Sequence, residues 1–301
     1  MTRAGVALVA VILATAVSAQ AQQLEPRTYS NTPVGMNFLL LGYAYTVGDV
    51  AFDASVPIED GHVTVNSAVL AYARSLDVWG RAGKLDVVLP YAWLSGTAKV
   101  AGRPESREVS GLGDPSVRFS FLPYGAPALT LEEFETYNQD LIFGASFAVT
   151  APLGQYDSDK LVNIGTNRWS FKPEIGISKT WGPVTLELAP SVTFYTANDD
   201  FLGSKKLERD PLYGVQGHVI YHTRHGLWAA IDATYYAGGR TTINGVRGES
   251  LADVRVGGTL AIPIDRHNSI KLTASTGAYA RTGGNFTAAG IVWQFRWGGG
   301  L

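Results

Sequence analysis

Between Arg168 and Tyr195 the chain alternates. Val184, Leu186, Leu188, Pro190, Val192 and Phe194 take one set of alternate positions, and Thr185, Glu187, Ala189, Ser191, Thr193 and Tyr195 take the other. The run before it, joined at Trp181-Gly182-Pro183, sets Trp169, Phe171, Pro173, Ile175 and Ile177 against Arg168, Ser170, Lys172, Glu174, Gly176 and Ser178. A period of two is that of a β-strand, whose successive side chains face opposite sides of the sheet. The apolar set needs a dry neighbour, and the set bearing Lys, Arg and Glu needs water or countercharge. A soluble sandwich satisfies that pattern over short strands. Here the alternation persists through both runs and recurs along the chain, which predicts a sheet closed on itself, with hydrocarbon outside and a polar lumen.

Alternation and turn punctuation place about twelve such runs. They centre on Gly35–Tyr45, Val63–Leu76, Lys84–Leu94, Asp114–Phe121, Leu141–Pro152, Arg168–Lys179, Val184–Tyr195, Tyr213–His222, Leu227–Tyr236, Asp253–Pro263, Ser269–Tyr279 and Phe286–Trp297. Long connections (Thr46–His62, Ser95–Gly113, Leu153–Asn167, Ala197–Leu212, Ala237–Ala252) alternate with short ones (Asp77–Gly83, Thr180–Pro183, Thr223–Gly226, Ile264–Asn268). The expected fold is therefore all-β: a transmembrane antiparallel up-and-down β-barrel of about twelve strands, with long extracellular loops and short periplasmic turns. Two connections break the rule. Ala280–Asn285 is short, and Leu122–Asp140 is long for a periplasmic turn. Inside the latter, Thr130 and Glu133 have capping-box spacing, predicting a short helix at Leu131–Tyr137, either packed on the barrel rim or partly closing it, or else an ordinary helical turn within a linker.

The outward sets agree with one another: Leu85, Val87, Leu89, Tyr91 and Trp93; Leu141, Phe143, Ala145, Phe147 and Val149; Val254, Val256, Leu260 and Ile262. Aromatic residues gather near strand ends (Tyr43, Tyr45, Tyr91, Trp93, Trp169, Tyr235, Trp293, Trp297), as in interfacial girdles. The last strand, Gly290-Ile291-Val292-Trp293-Gln294-Phe295, resembles the terminal signal read by the outer-membrane barrel assembly machinery. Ala288 and the Gly298–Leu301 extension depart from that pattern.

Composition adds bounds. The 301 residues are 46% hydrophobic and 17% charged, with a formal net charge of −2 and no basic block, which argues against nucleic-acid binding. No interior apolar run reaches about 18 residues, so a helical membrane protein is excluded. The chain has no cysteine, which removes disulfides, thiolate metal sites and cysteine nucleophiles. Residues 1–21 read as a cleaved secretory signal: Arg3, an apolar core at Val6–Val17 and Ala19-Gln20-Ala21. Residues 22–33 are polar and irregular, either a periplasmic tail or a segment inside the lumen. Residues 34–301 make the barrel, and the expected location is the Gram-negative outer membrane.

Candidate chemistry lies on the inward set: Arg74, Lys84, Asp86, Arg118, Arg168, Lys172, Glu174, Glu187, His218, His222, Asp232, Asp253, Arg255, Lys271 and Arg296. Arg74 shares its face with Leu70 and Tyr72. Mixed charges inside a barrel either brace it by pairing or line a wet pore and set selectivity. No catalytic or metal site is expected. At strand rise His218 and His222 lie about 13 Å apart, too far to share a metal ion, and no serine is fixed beside either. Ser110-Gly111-Leu112-Gly113-Asp114-Pro115 reads as a loop-to-strand turn because no helix follows it. Asn244-Gly245 marks a hairpin tip.

Several stretches carry a resemblance. They are Glu25-Pro26-Arg27, Tyr29-Ser30-Asn31, Pro33-Val34-Gly35, Asn37-Phe38, Gly154-Gln155-Tyr156-Asp157, Asn163 through Glu174, Asp210-Pro211-Leu212 and Trp297 through Leu301. Together they resemble the outer-membrane transporter family named for meta-pathway phenol degradation, over nearly all of the chain after the signal. The resemblance implies an outer-membrane barrel associated with uptake of small, often aromatic, compounds. It implies no established binding residues. Three functional expectations follow. One is a passive channel for small-molecule solutes, needing no cofactor and meeting outer-membrane lipids and lipopolysaccharide. The second is a closed barrel with a structural or surface-binding role, and the third an outer-membrane hydrolase.

Overall fold

The computed structural model describes residues 25–51, 58–100, 103–223, 225–280 and 283–301; the expected signal at 1–21 lies outside them. The described chain forms β1 (Met36–Ala51), β2 (Ile58–Val78), β3 (Arg81–Val100), β4 (Arg103–Leu112), β5 (Ser116–Tyr124), a short helix α1 (Leu131–Phe134) and β6 (Leu141–Thr150). There follow β7 (Ser170–Trp181), β8 (Val184–Tyr195), β9 (Asn198–Phe201), β10 (Lys205–Arg209), β11 (Leu212–His222) and β12 (Trp228–Gly238). The last are β13 (Thr241–Ile243), β14 (Val246–Arg247), β15 (Leu251–Pro263), β16 (Asn268–Ala280) and β17 (Gly283–Gly298).

The sheet closes because β1 pairs on both sides. Leu41 faces Trp293 of β17 across one ladder and Leu70 of β2 across the other. Both β4 and β5 pair with β3 (Trp93 with Ser110, Asp86 with Arg118), so they are one stave interrupted at Gly113-Asp114-Pro115. The result is a closed antiparallel barrel of twelve staves, as expected. Each stave of the closed girdle is paired on both sides, while β4, beyond it, pairs with β3 alone.

The burial pattern is inside out relative to a soluble protein. Ile231 is 73% exposed and its neighbour Asp232 is 1% exposed. Leu41, Leu188, Phe143, Phe147, Val219 and Leu272 are also exposed, whereas Glu174, Glu187, His218, Asp253 and Arg255 are buried. Water would not tolerate an apolar band encircling the molecule, and hydrocarbon requires one. At the turn end of the last stave the rings of Trp293, Phe295 and Trp297 stack in series, with centroids 6.1 Å and 5.5 Å apart.

The alternation located every stave but underestimated the first four of them. Most of Thr46–His62 and Ser95–Gly113, expected as loops, is strand: β1 to β4 run on into a long hairpin region, pairing Gly96 with Arg107 and Asp49 with His62. There the outward face no longer meets hydrocarbon, so the apolar half of the pattern fades while the backbone still needs partners, and Ala98 and Val109 pack inward against the cluster of Val63, Leu94 and Ile164. The helix is shorter than the expected Leu131–Tyr137 and buries none of its residues. Its capping box is formed, with Thr130 Oγ1 accepting from the Glu133 amide and the Glu133 carboxylate accepting from the Thr130 amide. Asn244-Gly245 is the expected hairpin tip, with φ of 47° and 83°, joining β13 to β14.

Replacing an outward residue near mid-stave tests the lipid-facing assignment. Leu188→Arg should destabilise the barrel by about 2–4 kcal/mol, read by urea unfolding in lipid vesicles. A loss below about 0.5 kcal/mol, as expected of a water-exposed site, contradicts the assignment.

Candidate functional site

The lumen wall is a set of short ion-pair and hydrogen-bond networks. His218 Nδ1 lies 2.6 Å from Asp232 Oδ1 on the neighbouring stave, and Thr259 Oγ1 donates to Asp232 Oδ2 at 3.1 Å. Lys172 pairs with Glu174 at 3.1 Å, and Arg118 donates from Nε to Asp86 at 3.1 Å, with Lys84 3.7 Å from the same carboxylate. Arg255 reaches Ser275 Oγ and the Phe286 carbonyl, both at 3.2 Å. His222 Nε2 lies 3.3 Å from Thr185 Oγ1. Buried charges of this kind are tolerated only where each meets a partner.

The wall does not complete these networks alone. The segment before β1 passes from the turn end into the lumen and supplies the missing groups. Val34 donates its amide to the Leu129 carbonyl, and Asn31 Nδ2 donates to the Pro127 carbonyl, so the long turn carrying α1 holds the point of entry. Deeper in, the Arg27 amide donates to Glu187 Oε2 at 2.8 Å, and the Arg27 guanidinium lies 5.4 Å from the Trp228 ring centre. Glu25 pairs with Arg118, which thereby bridges carboxylates from the segment and from β3.

Tyr29 is the anchor and is wholly buried. Its hydroxyl donates to Glu174 Oε1 at 2.9 Å. Its ring fills a notch made by Gly144 and Gly176, which face each other directly across the β6–β7 ladder. A Cβ at Gly176 would come within 2.1 Å of the ring, and one at Gly144 within 2.3 Å. Both glycines sit on the inward face, and only their missing side chains let the ring lie against the wall.

The electrostatics of the segment depend on this environment. Burial raises the Glu25 carboxyl, but the charges of Arg118, Lys172 and Lys84 outweigh it and hold the group at about 2, against an ordinary value of 4.5. Burial, reinforced by the Glu174 charge, pushes the Tyr29 hydroxyl well above the usual range, so it stays a donor.

At the loop end, β9, β10, β13 and β14 form a separate small sheet around Phe201, Leu207 and Ile243, with Leu161 from the preceding loop packed on it. That loop is strapped to the wall by Asp114. Its Oδ1 accepts from the Gly154 amide, and its Oδ2 accepts from the amide and hydroxyl of Thr166. The Asn163 side chain closes the turn above it, accepting from the Asp157 amide and donating to the Asp157 and Lys160 carbonyls. These straps carry Arg168 into the lumen mouth, where its guanidinium lies 5.0 Å from the Tyr195 ring centre; that of Arg209 lies 4.9 Å from the same centre.

Of the residues expected to line the lumen, Lys84, Asp86, Arg118, Arg168, Lys172, Glu174, Glu187, His218, His222, Asp232, Asp253, Arg255, Lys271 and Arg296 lie on the inward face. Arg74 does not. It is exposed beside Leu70 and Tyr72, while Ala73 and Ser75 are buried, because the register follows the apolar neighbours and not the charge. Tyr29, Asp114, Gly144, Tyr195 and Arg209 were not among the candidates. Gly144 and Gly176 carried a signal in their inward positions, where a strand gains nothing from a missing side chain unless something packs there.

The closed barrel, apolar without and ionic within, is the fold of an outer-membrane β-barrel protein. The sequence family described as "Putative MetA-pathway of phenol degradation" matches residues 44–295, and the chain belongs to it. Among solved structures, an outer-membrane channel from Pseudomonas putida F1 is similar with a TM-score of 0.78 and 21% identity, covering 91% of this chain and 100% of the other. The translocator domain of the autotransporter NalP from Neisseria meningitidis has a TM-score of 0.53 at 8% identity, covering 93% and 95%. The β domain of the Bordetella autotransporter BrkA has a TM-score of 0.51 at 10% identity, covering 88% and 99%. No curated protein matches the sequence.

The docked segment makes two predictions. Gly176→Val should expel Tyr29 and expose the bond after Arg27 to trypsin in the folded barrel, whereas the unaltered protein resists; equal cleavage of both would refute the notch. The Glu25 carboxyl is lower in the folded state than its ordinary value, so its contribution is complete above about pH 5 and is lost as pH falls toward about 2. A nitroxide on Thr28→Cys, unique in a cysteine-free chain, should gain a mobile spectral component over that range and not between about pH 5 and 7.

Proposed function

We propose that the protein is a passive outer-membrane channel for small molecules, with residues 25–35 acting as a removable insert that narrows the lumen from the periplasmic side. The observation that carries this reading is how the insert is held. It is joined to the wall by hydrogen bonds, ion pairs and one ring seated in a glycine notch, and it is not a strand of the sheet. A lumen filled by wall side chains alone would brace the barrel permanently. One filled in part by a separate segment has a second state, reached by withdrawing that segment.

The inward Lys84, Arg118, Lys172, Glu174, Glu187 and Arg296 then border the path and tune which solutes pass. Small, often aromatic, compounds are the proposed cargo, on the strength of the family's description. No catalytic step is assigned to any residue. Lipid and lipopolysaccharide contact the apolar band, and the aromatic series of β17 is the element offered to the assembly machinery.

Planar-bilayer recording decides between this reading and a closed structural barrel. A chain lacking residues 22–33 should conduct at least severalfold more than the complete protein, and Tyr29→Ala should increase its open fraction. A shortened chain that inserts and never conducts overturns the channel.

A further inference from the structure

We propose that Arg168, Arg209 and Tyr195 form a recessed binding site for a small organic carboxylate at the extracellular mouth of the lumen, beneath the small loop sheet. The inference deepens the channel reading and rests on it for the ligand's route of access.

Arg168 is 2% exposed, yet none of its three guanidinium nitrogens has a hydrogen-bond partner. Arg209 is 9% exposed; its Nε donates to the Gly239 carbonyl at 3.1 Å, and its Nη1 has no partner. The Tyr195 hydroxyl, which can donate as well as accept, also lacks one. Stacking on the ring orients the two cations and does not neutralise them. Burial, and after it the neighbouring Arg209 charge, pulls the Arg168 guanidinium down to about 10, so the two cations destabilise each other.

The protein's own acid does not relieve this. Asp114 acts on Arg168 through its charge, but both its oxygens are committed to the Gly154 amide and to Thr166, which strap the loop. Two buried cations with open donor positions are the inverse of a filled ion pair, and a guanidinium's planar fork matches a carboxylate's two oxygens. The Tyr195 ring, about equally near both guanidinium groups, gives the site a flat apolar surface, and its hydroxyl supplies a further donor.

The same straps explain why the site is rigid. Gly165 lies where a Cβ would meet the Gly154 carbonyl carbon at 2.8 Å, so the loop is pressed against its own start. Asn167 donates from Nδ2 to Asn198 Oδ1 at 2.9 Å, tying the residue before Arg168 to β9. The guanidinium is thereby delivered without using its own nitrogens.

Isothermal titration calorimetry on the complete protein in detergent tests the site. Benzoate and acetate should bind and compete, while benzyl alcohol, with the ring but no charge, should neither bind nor displace them. Arg168→Gln and Arg209→Gln should each weaken benzoate about tenfold or more while heat-modifiable gel migration is retained. Absence of carboxylate binding, displacement by benzyl alcohol, or affinity unchanged in folded Arg168→Gln overturns the proposal. Should a variant misfold, competition on the unaltered protein decides alone. Failure here is separable from failure of the channel. A protein that conducts and binds no carboxylate loses only this site, and one that binds carboxylate without ever conducting keeps the site and loses the channel.

Discussion

A barrel in hydrocarbon can export none of its charge. The ionic side chains that the alternation turns inward must find most of their partners in a space a few side chains wide, because the opposite face meets lipid. That constraint explains why Asp232 is flanked by His218 and Thr259, why Lys172 lies against Glu174, and why Arg118 sits between two carboxylates. It also explains the amino-terminal segment. Glu25 answers Arg118, the Arg27 amide and Ser30 hydroxyl answer Glu187, and Tyr29 answers Glu174. The wall was built with gaps that this segment fills.

The same constraint separates the two ends of the lumen. Toward the periplasm the charges are balanced by a segment that is not a strand of the sheet. Toward the outside, the loops are pinned by Asp114 and by the small sheet around Phe201, Leu207 and Ile243, and two guanidinium groups are left with open donors. One end is filled by a docked segment, and the other is strapped by its loops and electrically incomplete. A solute would cross regions of quite different character.

The fold was legible in the sequence because its signal is periodic and local. A strand in lipid repeats its apolar side every second residue, and the twelve runs declared themselves that way. Arg74 shows the limit of reading charge as inward: two neighbouring apolar residues outvoted one guanidinium at the barrel rim. The hairpin extensions of β1 to β4 were hidden because, outside the membrane, neither face needs to be apolar. The lumen contacts were less accessible for a different reason. Whether Tyr29 seats between Gly144 and Gly176 depends on which staves are adjacent and in what register, and alternation carries no register between strands. Arg168 is buried just before β7, and its shared ring with Arg209 depends on a loop fold encoded in tertiary contacts.

The Gly144–Gly176 notch has a consequence for biogenesis. It exists only once β6 and β7 have zipped in the correct register, and a slip of one residue would put side chains where the ring must go. Docking of the whole segment also engages Glu187 of β8 through the Arg27 amide and Arg118 of β5 through Glu25, so four staves must agree before the segment is fully seated. The aromatic ring thus works as a gauge that accepts only a correctly assembled wall, and its insertion timestamps the completion of that side of the cylinder.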